Sequence, residues 1–268
     1  MDLTSNHSRI VSFSPIEILG SPSSPVKIYS KAGKGTGILV LNTPDTSIVQ
    51  NCIFENLSPP KTPNWAQSGA VNFYDAPVKI YNTSFSDMRA EDALNIISTS
   101  FEMDNVVFAR SYSDAFDGDF VTGTISNSFF DDLENDAIDV SGSNIHLENV
   151  QITRAGDKGV SAGEDSKITA HQLVISGSEI GIASKDKSEV TVNKCLLTDN
   201  KLGFTAYQKK YEYGPGSIVA DSTELKNIDT EYLIEKNSSL RLNGIETEVV
   251  DRVLDRMYGT EFGKKSQH

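Results

Sequence analysis

The chain has 268 residues and a formal net charge of −13. Its hydrophobic fraction of 38% and charged fraction of 23% place it among globular chains rather than disordered ones. The acidic surface argues against nucleic acid as a partner, because phosphate recognition needs a basic one. No apolar run reaches the roughly 18 residues of a membrane span, and the N-terminus lacks the basic-then-apolar layout of a secretory signal. The sequence starts almost directly in strand-like residues, which leads us to expect the C-terminal part of a longer protein, with a partner or missing domain at an open first coil.

Residues 14–42 read as one or two loose coils of strand. From there one pattern recurs: alternating apolar residues, an Asn, then more apolar residues. It appears as IVQNCIF, KIYNTSF, EMDNVVF, TISNSFF and HLENVQI, with Asn51, Asn82, Asn105, Asn127 and Asn149 in register. The same slot then holds Gln172, Lys194 and Asp221. Most steps are 22 or 23 residues, and two are longer, 31 before Asn82 and 27 before Asp221. Alternating side chains point to opposite faces of a strand, and Asn tolerates the left-handed backbone that a corner needs. A fixed period of this length marks a solenoid.

A second strand per coil precedes each of these. Its inward column runs Val71, Leu94, Phe116, Ile138, Val160, Ile182 and Phe204 at the same period. Two strands in phase exclude a sandwich, whose strands pair antiparallel at irregular spacing. The fold expected is therefore all-β, a single-stranded right-handed parallel β-helix of about 22 residues per coil. One domain spans 1–268, with coils over about 14–245 and a short C-terminal capping helix over 246–258. Val249, Val253, Leu254 and Met257 share the apolar face of that helix. Cys52 and Cys195 fall at one point of the repeat some six coils apart. At about 4.8 Å per coil they are too distant for a disulfide, so both read as buried thiols.

The outward residues of the earlier strand hold the candidate chemistry. One column runs Asn95, Asp117, Asp139, Ser161, Ala183, Thr205. Three residues earlier in each coil stand Asp92, Asp114, Asp136 and Lys158, and two residues later Asp119, Ser141, Gly163, Lys185 and Tyr207. Six aspartates thus converge within about 10 Å along the axis. Left bare, neighbouring charges repel by roughly 3 kcal/mol at an effective dielectric near 20. The cluster therefore needs cations, lysines or protons. All-oxygen ligands suit Ca²⁺, and Asp92, Asp114, Asp119, Asp136 and Glu164 are its candidate ligands. No organic cofactor is expected. The plainer reading, aspartates bonded to turn amides on a solvated face, stands beside it. Lys158, Lys185, Lys209 and Lys210 follow along the same face, so an acidic sugar can bridge both halves.

Two insertions, 57–69 and 208–217, flank this face. Loops longer than a repeat requires are where function concentrates. They carry Trp65, Tyr211 and Tyr213, and an aromatic ring offers a sugar an apolar platform. Trp65, Asn95, Gln208, Lys209 and Tyr211 are the candidate substrate-binding residues. His146 and His171 lie on the other strand, so neither a Ser-His-Asp triad nor a zinc cluster fits. No phosphate-binding glycine loop of P-loop spacing occurs.

The repeat resembles the pectin-lyase-like superfamily of right-handed parallel β-helices over nearly the whole chain. The coil Asn135-Asp136-Ala137-Ile138-Asp139 is similar to a polygalacturonase motif, Asn-Thr-Asp-Gly-Ile-Asp. The following Gly156-Asp157-Lys158 is similar to the Gly-Asp-Asp stretch there, with Lys158 in place of an aspartate. The later Gly-His-Gly and Arg-Ile-Lys motifs have no counterpart. The runs SDAFDGDF, NDAIDVSGS and GDKGVSAGE also resemble uncharacterised bacterial β-helix proteins found alongside CotH-like proteins. That resemblance implies an extracellular or cell-envelope setting and a polysaccharide, acidic in character, as partner. Lyases and C5-epimerases of the superfamily pair Ca²⁺ with a Lys, Arg, Tyr or His base, which implies Lys158, Lys185 or Tyr207 here. A glycosidase with Asp117 and Asp139 as acid and base is the variant. A non-catalytic glycan-binding or assembly module of an envelope or exopolysaccharide system is the alternative.

Overall fold

The computed structural model describes residues 1–5, 8–31, 35–62, 65–259 and 261–262, without the side chains of 61–66. Its coils build two long parallel sheets, one of ten strands and one of fifteen. A solenoid of about nine turns results, with roughly 23 residues per turn. The ten-stranded sheet takes one strand from each coil, among them Gly69–Tyr74, Asp92–Ile97, Asp114–Asp119, Ile138–Ser141, Lys158–Gly163, Ile180–Lys185, Leu202–Tyr207 and Thr230–Ile234. The expected inward column pairs in register from Val71 to Phe204, and every member is buried.

Each coil turns at corners held by left-handed residues. Asn51, Asn82, Asn105, Asn127 and Asn149 have φ of 48–54°. The amide of Asn105 donates to Asn82 Oδ1 at 2.7 Å, and that of Asn149 to Asn127 Oδ1 at 2.8 Å. The ladder has one detour, where Asn127 donates to Asp104 at 2.7 Å instead of to Asn105. A second left-handed column follows the ten-stranded sheet at Asp75, Ser98, Phe120, Gly142, Glu164 and Asp186. A third runs through Asp87, Arg110, Asp132, Arg154, Gly177 and Asp199. Polar side chains and glycine relieve the steric cost at most of these positions.

Identical positions stack inside. Phe54, Phe85, Phe108 and Phe130 form a parallel ladder with ring centroids 4.9, 4.8 and 4.9 Å apart. Serines do the same for polar groups: the amides of Val121, Ser143 and Ser166 each donate to a serine hydroxyl one coil on, Ser143, Ser166 and Ser188. Cys52 and Cys195 are buried free thiols, as their spacing implies.

The C-terminal segment departs from expectation. The helix is only Val253–Met257, preceded by a short strand, Ile245–Glu246, folded antiparallel onto Ser239–Leu242. Val249 is 48% exposed and takes no part in an apolar helix face. Val253, Met257 and Phe262 instead pack with Ile180, Leu202, Tyr207 and Leu233 in a cluster separate from the solenoid core. The four strand residues stand in the outward columns, so the segment lies against the outside of the ten-stranded sheet. The apolar period locates the buried side of a helix, not what covers it.

Candidate functional site

The strands that carry the acidic face are bent at their entrance. Ala93 and Leu94 both belong to the core, as do Ala115 and Phe116, and Ala137 and Ile138. Two successive inward residues let Asp92 and Asn95 share the outer face, and the Asn95 amide lies 3.3 Å from Asp92 Oδ2. In later coils the same slot is Gly159, Gly181 and Gly203, where a Cβ on Gly181 would stand 2.6 Å from the Gly203 carbonyl.

The central outward column pairs Asn72, Asn95, Asp117, Asp139, Ser161, Ala183, Thr205 and Leu233 in unbroken register. The Asn95 amide also donates to Asp117 Oδ2 at 2.6 Å. Asp114 Oδ1 accepts the Asp136 amide at 2.9 Å, and Asp136 Oδ1 accepts the Lys158 amide at 2.8 Å. These two aspartates therefore stitch successive coils, as the plainer reading of the sequence expects, while remaining in the cluster.

Burial governs the charges. It raises the carboxyl of Asp92 to about 7, with Glu91, Asp139 and Asp119 adding to the shift. It raises Asp114 to about 8, reinforced by Asp136, and Asp136 to about 7 against the opposing pull of Lys158. Asp117 is held well above the usual carboxylate range by burial and by Asp92, Asp119 and Asp139. Asp119 shifts upward for the same reasons. At neutral pH the face thus retains protons, the third of the remedies a carboxylate cluster has.

The lysines serve the second. Lys158 is buried, hydrogen-bonded to Asp157 and 3.5 Å from Asp136. Burial lowers its ammonium, but the attraction of Asp136 and Asp157 outweighs that and holds it above the usual lysine value. Lys185 is buried with its Nζ 3.8 Å from Asp139, and the net shift is again upward. Glu164 accepts from Ser141 at 2.5 Å and pairs with Lys210. Burial raises it, yet those two bonds leave it below the usual value.

The other nominated residues are distributed unevenly. Tyr207 is fully buried, shares a 3.1 Å hydrogen bond with Tyr258, and its phenol is pushed up chiefly by burial. Gln208 braces the second insertion, its amide donating to the carbonyls of Lys210, Tyr211 and Tyr213 at 3.2, 3.3 and 2.8 Å. Buried Asp186 accepts the amides of Lys209 and Lys210 and fixes the start of that loop. Lys209 Nζ sits 5.1 Å from the Tyr258 ring, and Tyr211 is 93% exposed. The Trp65 side chain lies outside the described residues; its backbone pairs with Thr62 in a small hairpin. Of the five side chains nominated for Ca²⁺, Asp92, Asp114, Asp136 and Glu164 already bond protein groups. Among the described residues no group of three or more His, Cys, Asp or Glu is placed to hold a metal ion. His146 and His171 bond Thr169 and Glu148 on the other sheet.

Four contributors escaped the sequence reading of roles. Asp157 partners Lys158 and keeps its other oxygen, Oδ1, buried without a partner. Ser161, in register with Asp139, has a buried hydroxyl without a partner, and Asn72, earlier in the column, has a buried amide oxygen, Oδ1, without one. Tyr258 arrives with the C-terminal segment. Asn72 and Ser161 are visible as outward positions of the repeat; Asp157, just before its strand, and Tyr258 have no signal in the period.

No helix among the described residues is long and apolar enough to cross a membrane. No protein of curated function matches the sequence. Solved structures with a similar course of chain include the catalytic domain of GH87 alpha-1,3-glucanase in complex with nigerose, at 12% identity and a TM-score of 0.48 over 91% of this chain. The same catalytic domain in complex with tetrasaccharides shows 11% identity and a TM-score of 0.46, again over 91% of this chain. The chain spans only 62–63% of the length of those domains. The family model described as "Right handed beta helix region" matches residues 69–229, and this chain is a member of that right-handed β-helix family.

Proposed function

We infer that the acidic face is a hydrolytic site for a polysaccharide, with Asp117 as general acid and Asp139 as nucleophile. The observation that carries this reading is the pair itself. Asp117 and Asp139 are in register on adjacent strands, which sets them about 5 Å apart. Their surroundings differ: burial and neighbouring carboxylates push Asp117 well above the usual carboxylate range, while Asp139 faces the Lys185 ammonium at 3.8 Å. A carboxyl raised toward an acid's role beside a second carboxyl that faces a cation is an arrangement suited to glycosidic cleavage.

The chemistry follows from that pairing. Asp117 donates its proton to the leaving glycosidic oxygen as the C–O bond breaks. Asp139 attacks the anomeric carbon and forms a glycosyl ester. The Asp117 carboxylate then takes a proton from water, whose oxygen displaces Asp139 and releases the sugar. A separation of about 5 Å favours this retaining route over an inverting one, which needs room for water between the groups. Lys185, 3.8 Å from Asp139, sets a cation beside the nucleophile. Asp114 and Asp136 brace the coils that hold the pair.

A lyase or epimerase instead needs a neutral base. Lys158 and Lys185 are buried ammonium groups bound to carboxylates, and Tyr207 lies under Tyr258. The lysines are also matched internally, so the face keeps a surplus of acid groups. That favours a neutral glycan over a polyuronate.

Release of reducing ends from a panel of neutral and uronate polysaccharides tests the proposal. The expected result is hydrolysis of a neutral glycan, lost by a factor of about 10²–10⁴ or more in Asp117→Asn and Asp139→Asn. No hydrolysis anywhere in the panel, or variants as active as the parent, contradicts it. Unsaturated products from a uronate would point to the lyase.

A further inference from the structure

On the ten-stranded sheet Asp92, Asp114, Asp136 and Lys158 are buried, and the acid face is reached at half-buried Asp117, Asp119 and Asp139. The columns continue as Ile180, Leu202, Tyr207 and Leu233, and there the C-terminal segment lies over them. That segment is therefore the wall at which the acidic groove ends. The residue it places at the boundary is Tyr258. Its hydroxyl bonds Tyr207, in the column of Asp119 and Lys185, and the two rings meet edge-on at 6.3 Å and 74°. It lies within electrostatic reach of both Lys158 and Lys185. Yet Tyr258 is 51% exposed, a large ring anchored at its hydroxyl. Lys209 approaches the same ring from the second insertion.

We propose that Tyr258 is a glycan-contacting residue, a platform for the sugar ring that occupies the closed end of the groove, and that it sets how far a chain can extend past the Asp117–Asp139 pair. An aromatic face offers apolar area to the C–H side of a pyranose while its anchored hydroxyl limits the entropy lost on binding. This inference rests on the face being a carbohydrate site, not on its being hydrolytic.

The test is calorimetric titration of the full chain with tetrasaccharides of glucose, xylose, mannose and galacturonate, comparing Tyr258→Ala, Tyr258→Trp and Tyr112→Ala. Tyr112 is a more exposed tyrosine, at 72%, in the corner before Asp114 and three coils from Ile180. Tyr258→Ala is expected to weaken binding tenfold or more, Tyr258→Trp to bind within threefold of the parent, and Tyr112→Ala to bind as the parent does. Where a polysaccharide is cut, the loss in Tyr258→Ala falls mainly on KM, and the distribution of product lengths shifts. Should Tyr258→Ala fail to fold, Tyr258→Leu carries the same expectation. Binding by Tyr258→Ala or Tyr258→Leu within twofold of the parent overturns the proposal, as does failure of the parent to bind any of the four. Binding without cleavage leaves Tyr258 in place and removes the hydrolase.

Discussion

Replacing Asp114 by Asn should make the protein more stable at neutral pH, although it removes a buried hydrogen-bonding aspartate. In the folded chain this carboxyl is raised from 3.8 to about 8. Between those values the folded state holds a proton that the unfolded chain has released. Stability from this group is therefore complete below about pH 4 and is lost as pH rises toward 8. At pH 7 about three units of the interval have been crossed, at ~1.36 kcal/mol per unit, which bounds the cost near 4 kcal/mol. Asn keeps an oxygen for the Asp136 amide, now 2.9 Å away, and has no proton to lose. Because Asp92 and Asp136 still compete for protons in the variant, a gain of about 2 kcal/mol is expected. That corresponds to roughly 4–8 °C in Tm. Urea unfolding of both proteins at pH 4 and pH 7 is the assay. The gain should vanish at pH 4. A loss at pH 7, or an equal gain at both pH values, refutes the reasoning.

Two further perturbations address the core and the buried ion pairs. Phe108→Ala removes the ring between Phe85 and Phe130 and should cost about 3–5 kcal/mol in urea unfolding. Lys158→Met leaves Asp136 and Asp157 buried without their cation and should cost about 3–5 kcal/mol at pH 8. At pH 5 the loss should shrink, because Asp136, raised to about 7, is then protonated.

The period made the fold legible. A side chain that recurs every 22 or 23 residues must stack on its predecessor, so Val71 to Phe204 could be placed inward before any coordinates. The asparagine corners were equally visible, because few residues accept a left-handed backbone. The second corner column was not, since its members, from Asp75 through Phe120 to Asp186, share a conformation but no residue type. For the site, alternation put Asp117 beside Asp139 and Lys158 after Asp136. It said nothing of depth. Depth is what pairs Lys158 and Lys185 with carboxylates and raises the carboxyls of Asp92, Asp114, Asp117 and Asp136. The C-terminal segment was not placed by its own apolar period, which does not say what a helix covers. Ile180 and Leu202 in one outward column, with Leu233 in another, form the apolar patch that it covers.

The central claim is that burial and neighbouring carboxylates hold Asp117 above the usual carboxylate range beside Asp139, and it needs no substrate to be tested. Carbon-13 NMR titration of aspartate carboxyl groups, with Asp117→Asn to assign the resonance, reads it directly. The account predicts that Asp117 titrates well above the usual carboxylate range. An Asp117 resonance that titrates near pH 4, like a solvent-exposed aspartate, would contradict it.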